Sequence, residues 1–284
     1  MSMYALITNK DDKYAIASKE PPHEPLSQWW DNIYCDELLE GTSEYYIAKN
    51  GDKEAIFHIS NPHKPVSQWW NKISLAGLVV GETDYYIATN KNGKDAIFHK
   101  RNKSKPVSKW WDDISPNGLV LGESKYYRVK HNDKYAIFHE EVRDVNISDW
   151  YDYIETAGLI KEQSNYYIVK KNNRWAIRSD DVVSSLISQW WDKIQDDGLV
   201  KGESEYYIVT NSDNQKAIFH KDNPDTPISR WWNNIYTDGL IEGQSEYYLV
   251  YNRYDGYAIF HKDNPYEPIS RWYEILITNF IVVS

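Results

Sequence analysis

The sequence predicts a β-rich repeat protein of seven units of about 40 residues, each a β-hairpin followed by a short helix and a further short strand. Three observations carry that expectation. A Trp-aromatic pair recurs at Trp29-Trp30, Trp69-Trp70, Trp110-Trp111, Trp150-Tyr151, Trp190-Trp191, Trp231-Trp232 and Trp272-Tyr273, in steps of 40 or 41 residues. Two short aromatic and β-branched runs precede each pair, and a Gly-Leu element follows most of them. Self-similarity at this period is the signature of a repeat architecture, in which each unit buries its core against its neighbours. The units fall near 1–43, 44–83, 84–124, 125–164, 165–204, 205–245 and 246–284, so the repeat accounts for all 284 residues.

The sixth unit displays the elements in order. Tyr206-Tyr207-Ile208-Val209 suits a strand. Asn211-Ser212-Asp213-Asn214 reads as a turn, and Ala217-Ile218-Phe219-His220 returns as the second arm of a hairpin. The second unit has Asn50-Gly51 at that turn, a dipeptide that tolerates the positive φ of tight hairpins. A proline-bearing loop follows, then a serine two residues before the first Trp in every unit: Ser27, Ser67, Ser108, Ser148, Ser188, Ser229 and Ser270. A serine there suits a helix N-cap. The first Trp and the apolar residue four later (Ile33, Ile73, Ile114, Ile154, Ile194, Ile235, Leu276) then share a helical face. Gly77-Leu78-Val79, Gly118-Leu119-Val120 and Gly198-Leu199-Val200 read as a helix stop and a third strand.

Two arrangements fit an array of this kind: a closed, seven-bladed propeller-like toroid, favoured here, and an open solenoid. Residues 280–283 are apolar, which makes a poor polar cap but a good closing strand against residues 3–7. Seven units also lie within the usual range of blades. Against the toroid, three strands and a helix fall one strand short of a standard blade.

The period, the Gly-Leu element and the aromatic-Asp pairs Trp30-Asp31 and Trp111-Asp112 resemble the bacterial WG-repeat proteins. The chain departs from that family at its signature, with Tyr14-Ala15, Tyr135-Ala136, Trp175-Ala176 and Tyr257-Ala258 in place of Trp-Gly. The resemblance implies a β-rich repeat module and assigns no role.

A formal net charge of -10 argues against a partner bound through its phosphate backbone, so no nucleic acid is expected. No apolar run of membrane-spanning length and no secretory signal stands in the sequence, and a cytoplasmic location without membrane insertion is expected. The one cysteine, Cys35, excludes an internal disulfide framework. There is no Gly-rich phosphate loop, no HExxH and no isolated Ser-His-Asp set. The expectation is therefore a protein without enzymatic activity, catalytic residues, bound metal or cofactor. His58, His99, His139, His220 and His261 end the second hairpin strand in five units. Histidines one unit apart seldom converge on one ion, so they read as strand-end hydrogen bonders. Turn carboxylates leave calcium binding open.

Binding is the function that remains, with a protein partner as the leading expectation. The residues that break the repeat are the candidates for contacting it. Arg128 stands where Ile47, Ile87, Ile168, Ile208 and Leu249 stand in other units. Arg178 stands where Phe57, Phe98, Phe138, Phe219 and Phe260 stand. Units four and five also lose the Asn-Pro loop, and unit four carries Arg143 and Asp144 there. The alternative is a multivalent carbohydrate-binding module that stacks ligands on Trp30, Trp70, Trp111, Tyr151, Trp191, Trp232 and Tyr273.

Overall fold

The computed structural model describes residues 3–181 and 186–274. The expected closing strand at 280–283 lies outside them, as do Val182 and Val183 of the unit-five loop. The chain divides into two compact bodies, Met1–Trp150 and Tyr151–Ser284.

The first body holds four sheets. β1 (Tyr4–Thr8) pairs with β2 (Tyr14–Ser18), and the next sheet orders β3 (Asn32–Tyr34), β4 (Tyr45–Asn50) and β5 (Lys53–His58). The third has β6 (Lys72–Ile73), β7 (Tyr85–Thr89) and β8 (Asp95–His99); the fourth has β9 (Asp113–Gly118), β10 (Tyr126–His131) and β11 (Lys134–His139). In the second body β12 (Tyr153–Ile154), β13 (Tyr166–Lys171) and β14 (Arg174–Ser179) form the fifth sheet. The sixth has β15 (Lys193–Ile194), β16 (Tyr206–Thr210) and β17 (Lys216–His220). The seventh has β18 (Asn234–Ile235), β19 (Tyr247–Asn252) and β20 (Gly256–His261). All pairings are antiparallel, so the expected hairpin is present in every unit.

The expected helix after the serine is absent from the described residues, and its place is taken by extended chain that serves two sheets. In unit two, Glu54 and Trp70 exchange both backbone hydrogen bonds, at 2.8 and 2.9 Å, and Val66 N–H donates to Ile56 O. Ser67 fills the gap between them: its Oγ accepts the Ile56 N–H at 2.9 Å and donates to the Gln68 carbonyl. The same clamp joins Ser27 to Ile16, Ser108 to Ile97, Ser148 to Ile137, Ser188 to Ile177, Ser229 to Ile218 and Ser270 to Ile259. Two residues past the Trp pair the chain enters the next sheet, as Asn32–Tyr34 does beside β4. Counting this irregular edge, a full sheet is a four-stranded meander.

The serine thus spends its oxygen on a strand amide rather than on a helix start, and Trp and Ile are β-formers whose backbone groups find partners on both sides. The one α-helix among the described residues, α1 (Asp36–Glu40), comes after the Trp pair of unit one. The Gly-Leu element is likewise a buried turn, with Leu78 N–H bonded to Tyr85 O at 2.8 Å. Gly77 at φ +78° holds that turn, because a Cβ there would fall on Tyr85 O and on Val120 of the next unit. In unit four the element is a single 3₁₀ turn, Gly158–Lys161.

Core packing lies between sheets and repeats a fixed formula. The second sheet offers Ile47 and Ile56 to the third, which answers with Tyr86, Ala88, Ala96 and Phe98. Ile87 and Ile97 meet Tyr127, Val129, Ala136 and Phe138 in the same way, and in the second body Ile208 and Ile218 meet Tyr248, Val250, Ala258 and Phe260. Strand alternation sends the two sets to opposite faces. In units one to six the second residue of the Trp pair belongs to this core: Trp30 contacts Phe57 at 5.3 Å between centroids, and Trp232 contacts Phe260 at 5.2 Å. In units one, three, four and six the first Trp of the pair is the outer one, with Trp29 38% exposed. In units two and five both rings are half-buried, and in unit seven Trp272 is half-buried and Tyr273 exposed.

Candidate functional site

The sheets share most of their core residues and differ at one end. Where each hairpin approaches its turn, three cross-strand partners form a row on one face, and antiparallel register places them side by side. In the first body the complete rows are Asn32, Lys49 and Glu54; Lys72, Thr89 and Asp95; and Asp113, Lys130 and Tyr135. Three lysines there meet three carboxylates. In the second body the rows are Tyr153, Lys170 and Trp175; Lys193, Thr210 and Lys216; and Asn234, Tyr251 and Tyr257. Three lysines stand there with four aromatic rings and no carboxylate. In a chain of net charge -10 this is a local reversal of sign.

The rows of the second body run into one another. Trp175 bridges Trp191, and two residues on, the chain reaches Lys193. Lys216 bridges Trp232 and its Nζ donates to Asn234 Oδ1 at 2.5 Å. Tyr257 packs on Tyr251 at 4.9 Å and on Tyr236 at 6.2 Å. At the head of the series Asp152, Tyr153, Glu155, Lys170, Asn173 and Trp175 line an open cleft of about 650 Å³. Lys170 Nζ lies 5.1 Å from the Trp175 ring centre, a cation–π contact, and Tyr153 meets the same ring edge-on at 6.1 Å. Asn172 N–H holds the Asp152 carboxylate at 2.7 Å, which fixes one wall.

Electrostatics separate the two bodies further. Burial, and then the nearby Lys193 charge, hold the Lys216 ammonium below the usual lysine range. The matching position in unit three is Asp95, whose carboxyl burial pushes up while Thr89 Oγ1–H donates to it at 2.7 Å. In unit two it is Glu54, which accepts the Ile73 N–H at 2.8 Å. Those two carboxylates are engaged by donors of their own or the next sheet, whereas Lys216 holds only a neutral amide and keeps donors to spare.

The candidates drawn from the sequence fall elsewhere. Arg128 is half-buried, with its guanidinium 5.2 Å from the Tyr135 ring centre. Arg178 lies 5.7 Å from the centre of Tyr151, so Arg-Tyr replaces the Trp-Phe contact of other units. Arg143 is half-buried in its loop, and the exposed Asp144 pairs with Lys109 at 3.0 Å. Among the stacking candidates Trp30, Trp111, Tyr151 and Trp232 are buried, Trp70 and Trp191 are half-buried, and Tyr273 is 55% exposed. Four of the five strand-end histidines pair with a carboxylate of their own units, His58 with Glu44, His99 with Asp84, His220 with Glu205 and His261 with Glu246, while His139 Nδ1 accepts the Glu141 N–H at 3.2 Å. Among the described residues no group of three or more His, Cys, Asp or Glu side chains could hold a metal, and no helix is long and apolar enough to cross a membrane.

No family model matches this chain, and no curated protein does. Among solved structures, Kluyveromyces lactis Hsv2 with its complete loop 6CD is 12% identical over 77% of this chain and 70% of that one, at a TM-score of 0.36. A eukaryotic initiation factor is 12% identical over 91% of this chain and 71% of that one, at a TM-score of 0.39. Likeness at this level carries no argument about what the protein does.

Proposed function

We propose that this protein is a non-enzymatic repeat scaffold that binds another protein, and that the basic, aromatic rows of the fifth, sixth and seventh sheets are its binding face. The observation that supports this reading most is the contrast within each sheet. Packing residues repeat from unit to unit, while the row at the turn end changes and, across three neighbouring units, gathers lysines and aromatic rings. Repeat scaffolds commonly vary one face over a constant core, and Tyr and Trp favour protein contact because they offer large area at small entropic cost. A partner matched to this face is acidic with apolar side chains interspersed.

The competing candidates are those drawn from the sequence, Arg128, Arg143 and Asp144 in the first body and Arg178 in the second. Once a partner is isolated by affinity enrichment, its binding to Trp175→Ser and Tyr257→Ser decides between them. Weakened binding there, with Arg128→Ile and Arg178→Phe unaffected, supports the row. The opposite pattern returns the site to the arginines.

A carbohydrate reading has one specific support, the cleft in which Trp175 and Tyr153 stand beside Asp152, Glu155 and Asn173. Saturable quenching of tryptophan fluorescence by a sugar, lost in Trp175→Phe, would favour it. The closed, seven-bladed arrangement belongs to the same proposal. The four-stranded meander of a full unit is the plan of a propeller blade, and a radius of gyration near 19 Å in solution is the expectation for a compact chain of this length. A clearly larger value replaces it with the open array.

A further inference from the structure

The sixth sheet places two lysines astride a buried hydroxyl. Lys193 pairs across the sheet with Thr210, and Thr210 with Lys216, so one register line carries all three side chains. Thr210 is 7% exposed, Lys216 is half-buried and Lys193 is exposed. The carboxylates around them are turned to other cations: Asp192 to Arg174 at 3.9 Å, and Asp196 and Asp197 to Lys201 at 3.8 and 2.5 Å. At the residue after the Trp pair, where units one, three, four and five carry Asp31, Asp112, Asp152 and Asp192, unit six carries Asn233. Its Oδ1 accepts the Arg253 N–H, so it brings no charge to Lys216. Lys216 itself donates to Asn234, a second neutral amide.

Two like charges on one row repel, and a row without a neutralising acid costs stability unless something else supplies the negative charge. A carboxylate would neutralise one of the pair. A phosphate monoester, near -2 at neutral pH with three acceptor oxygens, would neutralise both and accept from both ammonium groups. On either side the row is flanked by rings, Trp175 in unit five and Tyr251 and Tyr257 in unit seven.

We propose that Lys193 and Lys216, over Thr210, are the seat of a phosphate monoester carried on a phosphorylated serine or threonine of the partner, with the flanking rings taking apolar residues beside it. This rests on the reading of the row as the binding face and names the chemistry that the face selects. The half-buried position of Lys216 supports it, since an anion arriving there is screened less by salt than one on an open surface. Its lowered affinity for a proton returns toward normal when the anion binds.

The test uses the full chain with lysines labelled at Cε and followed by NMR at constant ionic strength. Inorganic phosphate is titrated first, then a phosphoserine hexapeptide, the same peptide with glutamate in that place, and a short oligothymidylate. Saturable shifts of the Lys193 and Lys216 signals with phosphate and more tightly with the phosphopeptide are expected, with Lys49 and Lys72 unmoved. Lys193→Gln and Lys216→Gln should each weaken the phosphopeptide about tenfold, the scale of one charge-assisted hydrogen bond, while Lys216→Arg retains it. Shifts that never saturate and spread over all lysines mean an adventitious ion only and overturn the proposal. Equal binding of the glutamate peptide overturns the phosphate, and tighter binding of the oligothymidylate moves the site to nucleic acid. Partner binding that survives in Lys193→Gln with no phosphate response defeats this inference alone. Partner binding indifferent to Trp175→Ser and Tyr257→Ser defeats the broader reading.

Discussion

Ser108→Ala isolates the feature on which the link between sheets depends. Ser108 is fully buried, its Oγ accepts the Ile97 N–H at 2.9 Å, and its hydroxyl donates to Lys109 O at 2.8 Å. Alanine keeps the volume nearly constant and leaves a buried amide without an acceptor, which costs about 1–3 kcal/mol. Taking about 2 kcal/mol, amide exchange at Ile97 should accelerate roughly 30-fold if it proceeds through local opening. Site-resolved hydrogen exchange is the assay, because a repeat array need not unfold in one step. A helix-capping serine would instead protect amides two or three residues later, at Trp110 and Trp111. Acceleration there, with Ile97 unchanged, would refute the strand clamp. Ser270→Ala, at a half-buried clamp, should show a smaller effect on Ile259.

Further consequences follow from the packing and the charges. Trp111→Ala removes a ring that is 8% exposed and in contact with Phe138 at 5.1 Å, and should cost about 3–5 kcal/mol in urea titration, against markedly less for the half-exposed Trp110→Ala. Tyr151→Trp with Arg178→Phe rebuilds in unit five the contact that other units use. A double-mutant cycle should return a favourable coupling of about 0.5–1.5 kcal/mol, and additive single effects would contradict the Arg-Tyr exchange. Lys100, 2.7 Å away, holds the Asp84 carboxyl below its usual value. Its contribution is therefore present above the ordinary carboxylate range and lost as pH falls through the lowered value, and Asp84→Asn should flatten that part of the acid-stability profile.

The repeat and its hairpins were legible because they are written in local chemistry. Runs such as Tyr-Tyr-Ile-Val and Ala-Ile-Phe-His alternate buried faces, and their turns carry Asn, Asp and Gly. The segment after the serine misled because Trp and Ile four apart fit one helical face, while the partner of the serine lies 11 residues back on another strand. Extended chain also decides burial within the pairs Trp29-Trp30, Trp110-Trp111, Trp150-Tyr151 and Trp231-Trp232, where the second ring, and not the first, turns to the next sheet. Arg178 reads as an intruder until Tyr151, 27 positions earlier in the same chain, supplies its ring. The lysine and aromatic rows were invisible in sequence because each joins three strands, and only register brings Lys193, Thr210 and Lys216 into line.

The binding face is tested most directly by a photo-crosslinking amino acid placed at single positions and irradiated in a native lysate. Tyr153 and Tyr257 sample the row, and Tyr266, 68% exposed in the loop that follows β20, is the control. The account predicts one adduct of the same mass from positions 153 and 257 and none from 266. Adducts from 266 alone, or the same adduct from all three, would contradict it.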